Sequence, residues 1–364
     1  MNAVFLEPLD VLYLRGNRSF GAPGDHAAAQ MPPWPSLVAG ALRSRMLADA
    51  AVPLEAVRDG GLNGALGAIL GSVEEPGSFR LASLALARES PAGALEVFHP
   101  CPADLFIAKG GGATYLRPVE SALAWSNKTA QIPALNLAEP GKPEPRWLNP
   151  AAWKAYLDGT PIATDDLVEQ RCLWSTDPRV GVGLDPEARA AAKGKLVSTD
   201  TVALRPGVGL WAGVAGAEGH LPGSGQVRLG GDGRAAVVSS APAPIARDFA
   251  CLAPTSRLRL ILTAPAIFTG GSLLPEPLRR RVVAAAVPRH QIISGWDLAR
   301  WRPKPALRVV PAGAVYWLEG LECSADQLSE WETQGLWDLP LETFKTRKPE
   351  GFNAVVFAPW APTS

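Results

Sequence analysis

The sequence predicts an α+β fold of two tandem ferredoxin-like (βαββαβ, RRM-like) domains, residues 1–253 and 254–364, the first carrying long loop and β-hairpin insertions. Three observations predict it. A length of 364 residues exceeds one ordinary domain and favours two. The C-terminal third orders its hydrophobic periodicities as strand, helix, strand, strand, helix, strand, which is the split βαβ arrangement. The N-terminal segment starts with the same strand and helix. Its glycine- and proline-rich stretches, about Pro133 to Pro161 and Pro206 to Gly233, read as insertions on a regular scaffold.

Taken in order, a strand is expected from about Asn2 to Leu14, then a loop, then a helix from about Ser36 to Asp49 entered through Pro35-Ser36. Leu37, Val38, Ala41, Leu42 and Met46 share one arc of that helix. Arg43 faces away from the arc. Arg45 falls inside it, so it either snorkels at the edge or meets a partner. Strands follow at Phe79 to Ala87 and Leu95 to Phe98, and a hairpin at Val227 to Val238 turns through Gly230-Gly231-Asp232-Gly233. In the C-terminal third, Leu258, Leu260 and Leu262 alternate with Arg257, Arg259 and Ile261. This pattern predicts a half-buried strand with two guanidiniums on the outer face. A helix is expected from Pro275 to Ala286, with Pro277 in its first turn. Strands at Gln291 to Trp296 and Leu307 to Leu318 come next, the second interrupted by Pro311-Ala312-Gly313. A helix from Ser324 to Gln334, capped by Ser324, precedes a last strand from Ala354 to Trp360.

Composition narrows the function classes. Hydrophobic residues at 47% and charged residues at 19% describe a globular chain with sizeable cores. No apolar run reaches bilayer length, and Met1 to Asp10 carries two acids and no basic region. The expectation is therefore a cytoplasmic protein without membrane contact. Lys plus Arg equals Asp plus Glu at 35 each, so any nucleic-acid site must be a local patch. Cys101, Cys172, Cys251 and Cys323 are scattered singly and read as buried or inert thiols; no metal and no cofactor is expected.

Four histidines are the candidates for proton transfer near neutral pH. His26 sits in a glycine-rich loop with Arg15, Arg18 and Ser19; it is either a loop histidine bonded to backbone or ligand phosphate, or a general base in RNA cleavage. His99, His220 and His290 have no carboxylate or thiol nearby in sequence. Nucleophile-elbow, zincin, Walker and Rossmann fingerprints are all missing from the sequence. Cations are more informative. Arg279, Arg280 and Arg281 cluster, as do Arg300, Arg302 and Lys304, Lys345, Arg347 and Lys348, and Lys193 with Lys195 after the Arg179-to-Arg189 stretch. Each cluster alone is either a solvated face or a phosphate grip. Their recurrence in connecting segments beside Trp296 and Trp301 favours RNA.

FLEPLDVLYLRG (Phe5 to Gly16), the Phe20-to-His26 loop and PPWPSLVAGALRSRML (Pro32 to Leu47) resemble the start of the Cmr-complex subunit that caps the guide RNA. That subunit is a repeat-associated (RAMP) protein of type III-B CRISPR systems. The resemblance continues in RVGVGLDPEAR (Arg179 to Arg189), LGGDGR (Leu229 to Arg234), SGWDLA (Ser294 to Ala299) and PKPALRVVPAGAVYWLE (Pro303 to Glu319). It implies tandem ferredoxin-like folds, a grip on the 5′ tag of the guide (crRNA), and contacts with the large palm-domain signalling subunit and a backbone RAMP subunit, one copy per complex. It transfers no catalytic residue. By analogy, Arg179 to Asp200 is a hairpin touching RNA. Gly351-Phe352-Asn353 stands where RAMP proteins carry a Gly-hydrophobic-Gly loop, and Asn is the non-glycine residue most tolerant of the left-handed turn this needs.

The working expectation is that Arg15, Arg18, His26, Arg43, Arg179, Lys193 and Lys195 grip tag phosphates, while Arg279, Arg280, Arg300, Arg302, Lys345 and Arg347 supply a second wall. The acidic helix bearing Asp326, Glu330 and Glu332 should face a protein partner. The rivals are a metal-independent RAMP endoribonuclease using His26 as base on precursor crRNA, and a protein-only bridge.

Overall fold

The computed structural model describes residues 1–14, 26–27, 29–60, 62–90, 93–108, 112–121, 129–135, 142, 144–185, 187–188, 190–245, 247–337 and 344–361, with residues 26–27 and 191–197 described by their backbone. Helices and antiparallel sheets are mixed along the chain. In the N-terminal part, β1 (Asn2–Pro8) leads to α1 (Pro35–Asp49), β2 (Arg80–Glu89) and β3 (Leu95–Pro100). After an insertion holding β4 (Arg146–Leu148), α2 (Pro150–Asp158) and β5 (Leu167–Glu169), a long hairpin is built from β6 (Trp174–Leu184) and β7 (Ala191–Leu204). β8 (Val208–Ala215), β9 (Gln226–Arg228) and β10 (Ala235–Ala241) complete it. Eight strands form one sheet in the order β5-β4-β3-β2-β8-β1-β10-β9.

Inside that sheet, β10, β1, β8 and β2 stand in the 4-1-3-2 order of a ferredoxin-like sheet, with Phe5 opposite Trp211 and Leu210 opposite Leu86. Val38, Leu42 and Met46 of α1 pack with Val4, Leu6, Leu86 and Leu210 on one face. Where a second helix would link strands three and four, a turn at residues 216–225 and the short β9 stand instead. The expected first strand ends early: Leu12 and Tyr13 leave the sheet and make isolated bridges to Val202 and Gly231.

The C-terminal sheet repeats the 4-1-3-2 order with β11 (Arg257–Leu262), β12 (Val282–Ala286), β15 (Val315–Glu319) and β16 (Val355–Pro359), arranged β12-β15-β11-β16. Between β12 and β15 lies a small hairpin, β13 (Trp296–Asp297) and β14 (Arg302–Pro303). The helix expected over Pro275–Ala286 is not formed. A 3-10 turn covers Leu278–Arg281, and Val282–Ala286 is β12, paired through Ala285 opposite Tyr316. A five-residue apolar run fits a buried strand as well as a helix, and here the cross-strand partner decides for the strand. The strand expected from Gln291 is a two-stranded pairing of Gln291–Ile293 with Leu307–Val309, outside the main sheet. The other expected helix is present as α3 (Ala325–Gln334), where the Ser324 hydroxyl accepts from the amide of Gln327.

β11 is buried on both faces, not one. Leu258, Leu260, Tyr316 and Phe357 pack with Leu328 of α3. The opposite face, Ile261, Val315, Trp317 and Ala358, is covered by Leu105, Leu148, Ala152 and Tyr156 from the N-terminal insertion. Arg259 is therefore not an outward guanidinium: it is 4% exposed and paired with the buried Asp104 across 2.9 Å.

Candidate nucleic-acid interface

A cleft of about 240 Å³ runs between α1 and the segment that carries β13 and β14. Its wall holds five cations, Arg43, Arg300, Arg302, Lys304 and Arg347, against two carboxylates, Asp297 and Glu350. Helix α1 positions Arg43 because the opposite arc is buried in the sheet core, so the polar side is turned to the cleft. Its Nη2 donates to the carbonyl of Leu70 at 3.3 Å, while Nε has no partner. Burial pushes the Arg43 pKa down, with Glu350 opposing.

The other cations divide by how far they are already committed. Arg347 was expected as a surface grip, but it is 5% exposed; Nη1 bonds Glu350 Oε2 at 2.9 Å and Ser294 O at 3.1 Å, and Nη2 bonds Pro305 O at 3.3 Å. It forms the buried floor of the cleft. Lys304 is also bonded to Glu350. Arg300 is held between Asp297, at 3.3 Å, and Glu74; Lys345 pairs with Glu75 at the rim. Arg302 is exposed on β14, opposite Asp297 in register, and among the described residues it has no ion pair. Arg43 and Arg302 are thus the cleft cations without an ion pair among the described residues, and the unpaired Nε of Arg43 is itself sealed from solvent.

Other expected contacts lie elsewhere or outside the description. Arg15 and Arg18 fall outside the described residues. His26 is placed by its backbone, in parallel pairing with Ser198 of β7, and the backbones of Lys193 and Lys195 lie on β7. Arg179 is on β6 of the expected hairpin, bonded to Asp177 at 3.1 Å, which raises its pKa. Arg279 and Arg280 are exposed on the 3-10 turn and do not line the cleft; Arg280 pairs with Glu276 at 3.3 Å. Arg45 reaches the edge of its helix, bonding Asp49 at 2.6 Å and Gln226 O at 2.7 Å. Glu332 does not face outward as expected: it turns into the core, bonding Arg247 and accepting from Phe357 N at 2.8 Å.

Proton-transfer chemistry has little to work with in these groups. His99 is stacked on Trp153 at 4.0 Å, and burial pushes its pKa down to about 4. Burial pushes the Cys101 thiol up to about 12, whereas Cys172 and Cys251 are exposed. Among the described residues, no cluster of three or more His, Cys, Asp or Glu side chains is placed to hold a metal, and no helix is long and apolar enough to cross a membrane. What the cleft can do is bind a polyanion, through two under-committed guanidiniums above a fixed ionic floor.

The sequence matches the CRISPR-associated protein (Cas_Cmr3) family over residues 4–360. The chain belongs to that family. Among curated proteins none matches it significantly. Among solved structures, it is similar to a chain of the Type III-B Cmr-beta complex bound to cognate target RNA, at 13% identity and TM-score 0.52, over 97% of this chain and 96% of that one. A chain of the same kind of complex bound to cognate target RNA and AMPPnP gives 14% identity and TM-score 0.50 over the same shares. At those identities the likeness is one of fold.

As a Cas_Cmr3 protein the chain keeps the loop before its last strand but uses it differently from a phosphate cradle. Gly351 and Asn353 both have positive φ, 85° and 64°, so asparagine does take the left-handed turn. Asn353 is fully buried: its Oδ1 accepts from Ile267 N at 2.7 Å and its Nδ2 donates to Ile267 O at 3.1 Å. The loop is thereby stitched into the core, with Gly351, Phe352 and Asn353 all buried.

Proposed function

We propose that this chain is the guide-RNA-binding, non-cutting subunit of a type III-B Cmr effector complex in the cytoplasm. It holds the 5′ repeat-derived tag of the crRNA and bridges the large palm-domain subunit to the first backbone RAMP subunit. The observation that carries the reading is the cleft of about 240 Å³ in which Arg43 and Arg302 stand without a carboxylate ion pair over the Arg347–Glu350 floor. Uncommitted cations on a concave wall attract phosphates, which release counterions when bound. Membership of the Cas_Cmr3 family supplies the context, and the solved relatives come from complexes bound to cognate target RNA.

The test is binding of the purified chain, alone and with its palm-domain partner, to guide RNA carrying an intact or scrambled 5′ tag, at two salt concentrations, with a gel to detect cleavage. Tag-preferring, salt-sensitive binding without cleavage is expected. Replacing Arg43 or Arg302 with alanine should weaken binding and lower the salt slope by about 0.7 for each phosphate no longer neutralised. Cleavage abolished by His26→Ala would replace this reading with the endoribonuclease. Assembly of the complex indifferent to every arginine substitution would leave a protein-only bridge.

A further inference from the structure

The cleft is continued by a feature that phosphate binding does not explain. Trp296 and Trp301 stand on the β13–β14 hairpin with their rings edge to face, centroids 5.8 Å apart at 88°. Both are exposed, Trp296 at 48% and Trp301 at 74%, although tryptophan buries on average more of its surface than almost any residue. Trp296 lines the cleft, and Trp301 packs against it. Leu298, in the same turn, is exposed as well.

The backbone makes the choice of residue harder to account for. Trp301 has φ 51°, in the left-handed region where a bulky side chain is a genuine outlier. Gly or Asn would occupy that turn position at lower cost. An indole held there in water, against both its hydration and its backbone preference, has its use in what it meets.

We infer that Trp301, braced by Trp296, is a stacking platform for one unpaired nucleobase of the single-stranded RNA whose phosphates lie along Arg302 and Arg43. This deepens the reading of the cleft as an RNA site and rests on it. Charge complementarity selects RNA over an apolar protein surface. The indole next to Arg302 and beside the cation-rich wall matches a ligand that alternates flat apolar rings with anions. A guanidinium neighbour would in contrast be costly to bury under an apolar partner. Stacking on a π-face reads no base edge, so this stack is tolerant of sequence and adds affinity, not tag preference.

The experiment uses the full chain and a single-stranded RNA decamer, measured by intrinsic tryptophan fluorescence and by affinity at two salt concentrations, with Trp301→Ala, Trp301→Phe, Trp301→Gly and Arg302→Ala. Trp301→Ala should reduce affinity roughly ten- to hundredfold and remove part of the quenching, while the slope of log affinity against log salt stays unchanged. Trp301→Phe should restore most of the affinity. Trp301→Gly relieves the left-handed strain, so it should melt no lower than the wild type and still bind weakly, which separates stacking from folding. If Trp301→Ala binds and quenches like the wild type while Arg302→Ala loses affinity and slope, the platform is overturned and the phosphate cleft stands. If the wild type itself shows no salt-dependent binding, both fall. Loss of a protein subunit from the complex with RNA affinity unchanged would make the pair a protein-docking site and overturn the inference.

Discussion

A guanidinium that is 4% exposed has given up nearly all its hydration, and Arg259 recovers part of it from the insertion. Nη1 bonds Asp104 Oδ2 at 2.9 Å, Nη2 bonds Tyr156 O at 2.6 Å, and the group lies over the Tyr156 ring at 4.6 Å. The Tyr156 hydroxyl joins the set by donating to Asp104 Oδ1 at 2.6 Å, while the buried Nε of Arg259 has no partner among the described residues. Burial pushes the Asp104 carboxyl upward against the pull of Arg259 and Tyr156. A pair of this kind contributes little over an apolar substitute, but losing one partner strands a buried charge. Asp104→Ala or Arg259→Ala should each cost about 3–5 kcal/mol in urea denaturation, and the double change Asp104→Leu with Arg259→Met much less than their sum. A second buried acid gives a pH signature. Burial raises Glu332 from 4.5 to about 7, against the opposing effects of Arg247 and the Phe357 amide. Because the folded state holds this proton more tightly than the unfolded one, the contribution is complete below about 4.5 and is lost as pH rises to about 7. Glu332→Gln should therefore gain stability relative to the wild type across that window; a difference flat from pH 4 to 8 would show that Glu332 does not titrate there.

At the scale of elements, legibility in the sequence follows how many surfaces each segment touches. α3 is legible because one cap, Ser324, and one buried residue, Leu328, decide it locally. α1 is legible from its apolar arc, whose polar side does turn Arg43 toward the cleft. β11 and β12 differ from expectation because their second face is covered by residues more than 100 positions away, which no local period reports. One sign is present: Ile261 shares its face with Arg259, and an isoleucine on a supposedly wet face argues for a cover. The cleft itself joins α1 to β13 and β14, so its cations are legible singly and their division into floor and grip is not. The second half of β6 behaves in the opposite way, with apolar side chains left exposed. Val180, Val182 and Leu184 of β6 are exposed, with a register shift between Val182 and Leu184. Replacing all three with threonine should change unfolding free energy by less than about 0.5 kcal/mol per site, because these side chains already stand in water. A larger destabilisation would mean that this face is covered within the chain.

The whole molecule is tied together by packing that crosses the expected boundary at residues 253/254. The insertion strand β4 and helix α2 lie over Ile261, Trp317 and Ala358, and Asp104 lies against Arg259. On the other side, Arg300 and Lys345 pair with Glu74 and Glu75. The surface pairs contribute little each, but the buried sheet face does not: uncovering Ile261, Val315 and Trp317 exposes three large side chains at about 1.5–3 kcal/mol apiece. It also leaves Arg259 without its carboxylate in an apolar surround. A fragment of residues 254–364 should therefore aggregate or stay unfolded when expressed alone, and should be rescued by co-expression with residues 1–253. The intact chain should unfold in one transition, with tryptophan fluorescence and far-ultraviolet circular dichroism coincident. Two separated transitions, or a soluble and cooperatively folded fragment, would show that the C-terminal sheet is stable without its cover and that the cleft lies between two independently folding units. The single transition would instead mean that the cleft walls are held rigid before any RNA arrives. Arg43 and Arg302 would then need no domain closure to meet a phosphate, and binding should proceed without a slow, salt-independent phase in stopped-flow mixing.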